Sequence, residues 1–153
     1  MRIALIAILL VSPFQLAGQH RSADEQALLD LHAEILRAHV EGRVDIWMTL
    51  ESDSYVSVNR GRITFPEASI RREQRAAYLA ATTFEVYRDL RDPIVRISED
   101  GSLGWLIAEV EIAGSAPGPD GESTSFNEIW AWVELYEKAD GRWRGIGNVS
   151  NRR

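Results

Sequence analysis

The chain has 153 residues, 45% hydrophobic and 26% charged, with a net charge of −6 and no cysteine. That size and composition suit one globular domain with a sizeable core and exclude a disordered chain. The acidic balance argues against nucleic acid as a partner, and the absence of cysteine excludes disulfides, thiolate metal sites and cysteine nucleophiles.

The N-terminus reads as a cleavable secretory signal, residues 1–19. Met1 and Arg2 form a short positive start, Ile3 to Val11 is unbroken apolar sequence, and Ser12-Pro13 ends it before the small residues of Leu16-Ala17-Gly18. The run is shorter than the roughly 20 residues that span a bilayer. Removing it takes away Arg2 and no acidic residue, moving the net charge from −6 to −7. The expected product is an exported domain, residues 20–153, periplasmic or secreted, with no membrane association after signal removal and no lipid anchor.

A first helix is expected from Ala23 to Glu41. Ser22 and Glu25 have capping-box spacing, Leu28, Leu31, Ile35 and Ala38 form an apolar stripe, and Gly42 ends the helix. A short second helix covers Asp45 to Leu50. Ser54 to Asn59 alternates as a strand and turns through Arg60-Gly61 to a short partner at Ile63–Phe65. Pro66 opens a third helix that runs to Ala81.

Strands follow at Phe84–Leu90, Ile94–Ser98, Leu103–Ala113, Ser123–Glu137 and Arg142–Ser150. Asp100-Gly101 and Asp140-Gly141 mark hairpin tips, and Gly114–Glu122 reads as a loop. Helices first and hairpin strands after give an α+β class, with helices packed on one face of a curved antiparallel sheet.

In the strand Ser123–Glu137, alternation puts Asn127, Ile129, Ala131, Val133 and Leu135 on one face, the expected core. The other face carries Phe126, Glu128, Trp130, Trp132, Glu134 and Tyr136. Such an aromatic face predicts a homodimer interface at Trp130, Trp132 and Tyr136, the alternative being cover by a loop or terminus of the same chain. In Leu103–Ala113, the residues Leu106, Ala108, Val110 and Ile112 form the core face. On the opposite face Glu109 and Glu111 read first as the start of the solvated end of the strand, and Glu109 is a weak candidate for a pocket carboxylate acting as acid or base.

His32 and His39 share a helix face, about 10 Å apart along the axis, too far to ligate one metal easily. No third ligand has useful spacing, so neither a metal nor a cofactor is expected. His39 is the other weak candidate for a base. In the last strand Ile146, Asn148 and Ser150 share a face, and the two polar side chains need partners there.

The helix ending in Gly42, the strand from Asp53 to Val58 and the closing stretch from Trp130 to Ser150 resemble the SnoaL-like branch of the nuclear-transport-factor-2-like superfamily. The hairpin from Tyr136 to Trp143 is the most specific part, and the resemblance spans about Ala23 to Ser150. It implies a strongly curved sheet forming a cone, closed by the N-terminal helices, with a pocket inside. Its members include ketosteroid isomerases, cyclases, dehydratases and non-catalytic association domains, so fold alone assigns no activity.

Ketosteroid isomerase needs an Asp base and a Tyr–Asp oxyanion pair. The matching positions hold Val58 or Asn59, Ile35 and Val133, so that mechanism is not expected. Many SnoaL-like chains carry His near the end of the last strand, where this one has Asn148. The reading is a pocket for a small, largely apolar molecule, lined from His32, His39, Asn127, Ile146, Asn148 and Ser150. The alternatives are a lyase or isomerase using His39 or Glu109 as base, and a non-catalytic dimerisation module.

Overall fold

Ser22 starts the first helix by a reciprocal cap. Its hydroxyl accepts from the Glu25 amide at 3.1 Å, while its own amide donates to the Glu25 carboxylate at 2.8 Å. Helix α1 (Ala23–Val40) then ends at Gly42, whose φ of +67° suits glycine. The Gly42 and Arg43 amides donate back to the His39 and Ala38 carbonyls at 3.2 and 2.8 Å, which is a Schellman closure. The computed structural model describes residues 21–153, and the expected signal segment lies outside the described residues.

After α1 come α2 (Val44–Thr49), β1 (Glu51–Asn59), β2 (Arg62–Thr64) and α3 (Ala68–Ala81). Helix α3 begins after Glu67, so Pro66 precedes the helix rather than opening it. The remaining strands are β3 (Thr83–Asp89), β4 (Ile94–Ile97), β5 (Leu103–Pro117), β6 (Ser123–Ala139) and β7 (Arg142–Arg152). Strand β5 runs through Gly114 to Pro117, where a loop was expected. Its last residues pair with Ser123–Phe126, so the hairpin ladder satisfies their backbone groups.

The seven strands form one curved, unclosed sheet in the order β2-β1-β7-β6-β5-β3, with β4 also paired to β5. It is mixed rather than purely antiparallel, because β1 runs parallel to β7. Parallel neighbours need a long connection, and the chain from β2 to β6 supplies it. The class is α+β as expected.

The register of β5 against β6 decides which face is the core. Residues directly opposite one another share a face. Gly104 faces Tyr136, Leu106 faces Glu134, Ala108 faces Trp132 and Val110 faces Trp130. Small residues of β5 therefore make room for large ones of β6. Leu106, Ala108, Val110 and Ile112 are buried with Trp132 and Tyr136 under α1, where Leu28 is fully buried.

The expected faces of β6 are thus inverted. Asn127 is exposed, Leu135 is 39% exposed, and the aromatic set points into the cone. Tyr136 at 1% and Trp132 at 8% exposure leave no dimer surface on those residues, and Trp130 is half-buried beside them.

Gly114 sits where β5 meets β3, and a Cβ there would collide with the Thr83 carbonyl oxygen. Gly114→Ala is expected to cost roughly 1–3 kcal/mol or more by forcing the strands apart. Urea unfolding with an unchanged m-value and a lowered midpoint would show it.

Candidate functional site

Two connected spaces lie on the concave side of the sheet. A floor cavity of about 90 Å³ is walled by Ile35, His39, Trp47, Glu51, Tyr55, Tyr87, Trp132, Glu134, Tyr136 and Asn148. It shares His39, Trp47, Tyr87, Trp132 and Asn148 with a mouth of about 490 Å³. Tyr78, Phe126, Trp130, Ser150 and Arg152 complete much of the mouth. At this wall β7 carries a bulge: Gly145 and Gly147 pair with Tyr136 and Leu135 and leave Ile146 between them as an extra residue.

That bulge changes the alternation of β7. Asn148 and Ser150 reach the funnel, while Ile146 lines neither space, against expectation. The Asn148 carboxamide oxygen accepts from the Ser57 hydroxyl at 3.3 Å. Asn127 is exposed and outside the site. Glu109 is also outside: opposite Ala131 on the convex face, it pairs with Arg91, and Arg153 lies 3.9 Å away. His39, Glu109 and Asn148 therefore do not converge; His39 and Asn148 do.

His39 stacks on Trp47 and Tyr87, with ring centroids 3.9 and 4.7 Å apart. Its Nδ1–H donates to the Ile35 carbonyl at 2.7 Å, which leaves Nε2 with a lone pair. Burial disfavours the imidazolium and brings His39 down to about 4, so the ring is neutral at physiological pH.

His32 lies one layer behind the floor, 1% exposed, and lines neither space. Its Nε2 is 3.0 Å from Asp89 and its Nδ1 3.2 Å from Glu134. Burial pulls its proton affinity down, but hydrogen bonds and charge from Asp89 and Glu134 more than reverse this and raise it to about 9. His32 is therefore a buried imidazolium donating from both nitrogens. The Tyr136 hydroxyl donates to the same Glu134 oxygen, Oε2, at 2.5 Å. Burial pushes the Tyr136 phenol up, so it stays a donor.

A second charged cluster holds the opposite wall. Glu51 accepts from Trp47 Nε1 at 2.9 Å and pairs with Arg75. Arg71 Nε is 3.4 Å from Glu51 Oε2, yet neither atom has a well-aligned hydrogen bond, so their contact is one of charge. Arg71 instead donates to the carbonyls of Ser52, Asp53 and Pro66 at 2.7 to 3.1 Å. Burial raises Glu51 against the pull of both arginines. Arg75 also lies over Trp47, 4.3 Å from the ring centre.

The sequence reading missed Trp47, Glu51, Tyr55, Tyr87 and Glu134. Glu134 was legible in principle. Gly104 and Ala108 are the small residues of the correctly read β5 face, and pairing them with Tyr136 and Trp132 turns Glu134 inward.

The two histidines give stability opposite slopes with pH. His32, raised to about 9, contributes stability fully present below the unfolded value near 6.5 and lost as pH rises toward 9. His39, lowered to about 4, contributes stability present above about 6.5 and lost as pH falls toward 4. Unfolding free energy is expected to peak near pH 6.5 and to fall on each side by an amount on the order of 2–3 kcal/mol across these windows. His32→Gln should flatten the alkaline arm and His39→Gln the acid arm, as measured by urea titrations at fixed pH steps.

No protein-family model matches the sequence, and neither does any curated protein. Solved structures do. An assigned calcium/calmodulin-dependent kinase II association domain from Exiguobacterium sibiricum aligns with a TM-score of 0.68 at 18% identity, covering 89% of this chain and 98% of its own. A nuclear-transport-factor-2-like protein from Cytophaga hutchinsonii aligns at 0.67 and 16% identity, covering 84% and 97%. A ketosteroid-isomerase-like protein from Erwinia carotovora atroseptica aligns at 0.67 and 12% identity, covering 86% and 98%. Matches this complete at such low identity are matches of fold: the chain has the nuclear-transport-factor-2-like fold.

Proposed function

We propose that this domain binds a small, largely apolar molecule in the funnel. The observation that carries the reading is the wall itself: Trp47, Tyr55, Tyr87, Trp132 and Tyr136 surround the floor cavity together with a few polar groups. An apolar recess with convergent polar atoms is the usual form of a small-molecule site. Residues 3–11 support export as part of the same reading.

Acid–base chemistry of the lyase or isomerase kind keeps His39 as its candidate. A value near 4 leaves His39 little driving force to take a proton at neutral pH, which favours accepting a hydrogen bond over abstracting a proton.

A second reading concerns the convex face. Ile94, Ile107, Val133, Val149, Val58 and Ile63 stand opposite one another in turn across six strands. Four of them are 38 to 64% exposed. A continuous apolar row supports association with a second copy of the chain. Similar folds named as association domains point the same way.

A panel of hydrophobic metabolites is expected to contain compounds that raise the melting temperature in a concentration-dependent way. Ser150→Trp, which fills the mouth, should abolish that rise while shifting the free protein's melting temperature by no more than about 2 °C. No response across the panel overturns the binding reading. For the convex face, sedimentation at micromolar concentration is expected to show a dimer, and the double variant Ile107→Asp, Val133→Asp a monomer with an intact fold. A wild-type monomer under these conditions overturns association.

A further inference from the structure

Glu134 is where the buried charges of the cone meet its cavity. Both protein donors, His32 Nδ1 and the Tyr136 hydroxyl, are spent on Oε2. Oε1 has no hydrogen-bond partner among the described residues, and Glu134 is part of the floor wall. With no protein donor on it, this carboxylate oxygen is available to accept from a ligand donor in the cavity. His39 offers a second acceptor to the same cavity, because its Nδ1–H is committed to Ile35 and Nε2 has no donor among the described residues.

The cations nearest the floor stand behind its wall, whereas Arg60 and Arg152 line the mouth. Neither His32, Arg71 nor Arg75 lines the floor cavity, whereas Glu51 and Glu134 do. His32 faces two carboxylates, Asp89 and Glu134, and Arg71 and Arg75 share one, Glu51, so cations and carboxylates balance only over the two clusters together and the Glu134 side carries the excess negative charge. A ligand carboxylate would face two carboxylates across a narrow space. A ligand ammonium would meet an open carboxylate oxygen, a neutral imidazole lone pair and aromatic rings.

Resting on the binding reading above, we propose that the ligand is an amine: an apolar or aromatic body in the mouth and a protonated amino group seated on Glu134 Oε1 and His39 Nε2. Glu134 is the anchor. His32 and Tyr136 are positioning residues, holding its other oxygen and so aiming the free one.

Three probes with one body and different heads test this by calorimetry at neutral pH: phenethylamine, 2-phenylethanol and phenylacetate. Phenethylamine is expected to bind about tenfold or more tighter than phenylacetate, with 2-phenylethanol between them. Glu134→Gln should remove the amine's advantage over 2-phenylethanol. Should that variant unfold, Glu134→Asp, which withdraws the carboxylate by one methylene, should weaken the amine while leaving it ahead of phenylacetate.

Phenylacetate binding as tightly as the amine overturns the amine assignment and leaves the binding reading standing. So does an amine advantage that survives Glu134→Gln. Failure of all three probes to bind overturns the amine assignment, and failure of the metabolite panel as well overturns the binding reading with it.

Discussion

A positive charge inside the cone organises the molecule. His32 projects from α1 toward the sheet and is held by Asp89 at the end of β3 and Glu134 in the middle of β6. A lone imidazolium at 1% exposure would be strongly unfavourable, so both carboxylates are required wherever the helix docks. The cluster thereby fixes the rotation and height of α1 over the sheet. A second tie acts at the start of the helix, where Asp24 accepts from Lys138 at 2.6 Å and from Trp143 at 2.9 Å. Between these ties Leu28 packs so closely over Gly104 that a side chain there would strike it.

The opposite wall is held in a similar manner by different residues. Glu51 opens β1 and gathers Trp47 of α2 with Arg71 and Arg75 of α3. The short helix α2 has no side-chain cap of its own and depends on such tertiary contacts. Two charged clusters therefore brace the funnel: their cations stand behind the floor, while the carboxylates of Glu51 and Glu134 join aromatic rings and a neutral histidine in its lining. The interior is polar at chosen atoms without carrying mobile charge.

Much of the architecture was readable from local chemistry. The Ser22–Glu25 cap, the Gly42 stop, the hairpin tips at Gly101 and Gly141, and the core face of β5 all depend on residues near one another in sequence. Propensity and period speak directly to such features. The faces of β6 were not readable this way. Both sets contain apolar residues, so alternation alone cannot say which points inward. The aliphatic set looked like core, yet the aromatic set fits because β5 offers Gly104 and Ala108 opposite Tyr136 and Trp132. The same inversion carried Glu134 into the site and Asn127 out of it. Ile146 was misplaced for a separate reason, since one extra residue in a bulge reverses every later side chain relative to a regular count.

The α+β class, the order and approximate bounds of the elements and the resemblance to cone-shaped folds were all legible in the chain. These rest on capping, turn chemistry and hydrophobic period, which act over a few residues. The sequence also marked His39, Asn148 and Ser150 as polar groups on otherwise apolar faces, and they do line the funnel. The parallel pairing of β1 with β7, the inward face of β6 and the opposite protonation of His32 and His39 came from long-range packing alone. Each of these depends on partners far apart in the chain: Glu134 is 102 residues from His32. What a side chain faces across the sheet sets its charge and its solvent, and no period along the strand encodes that.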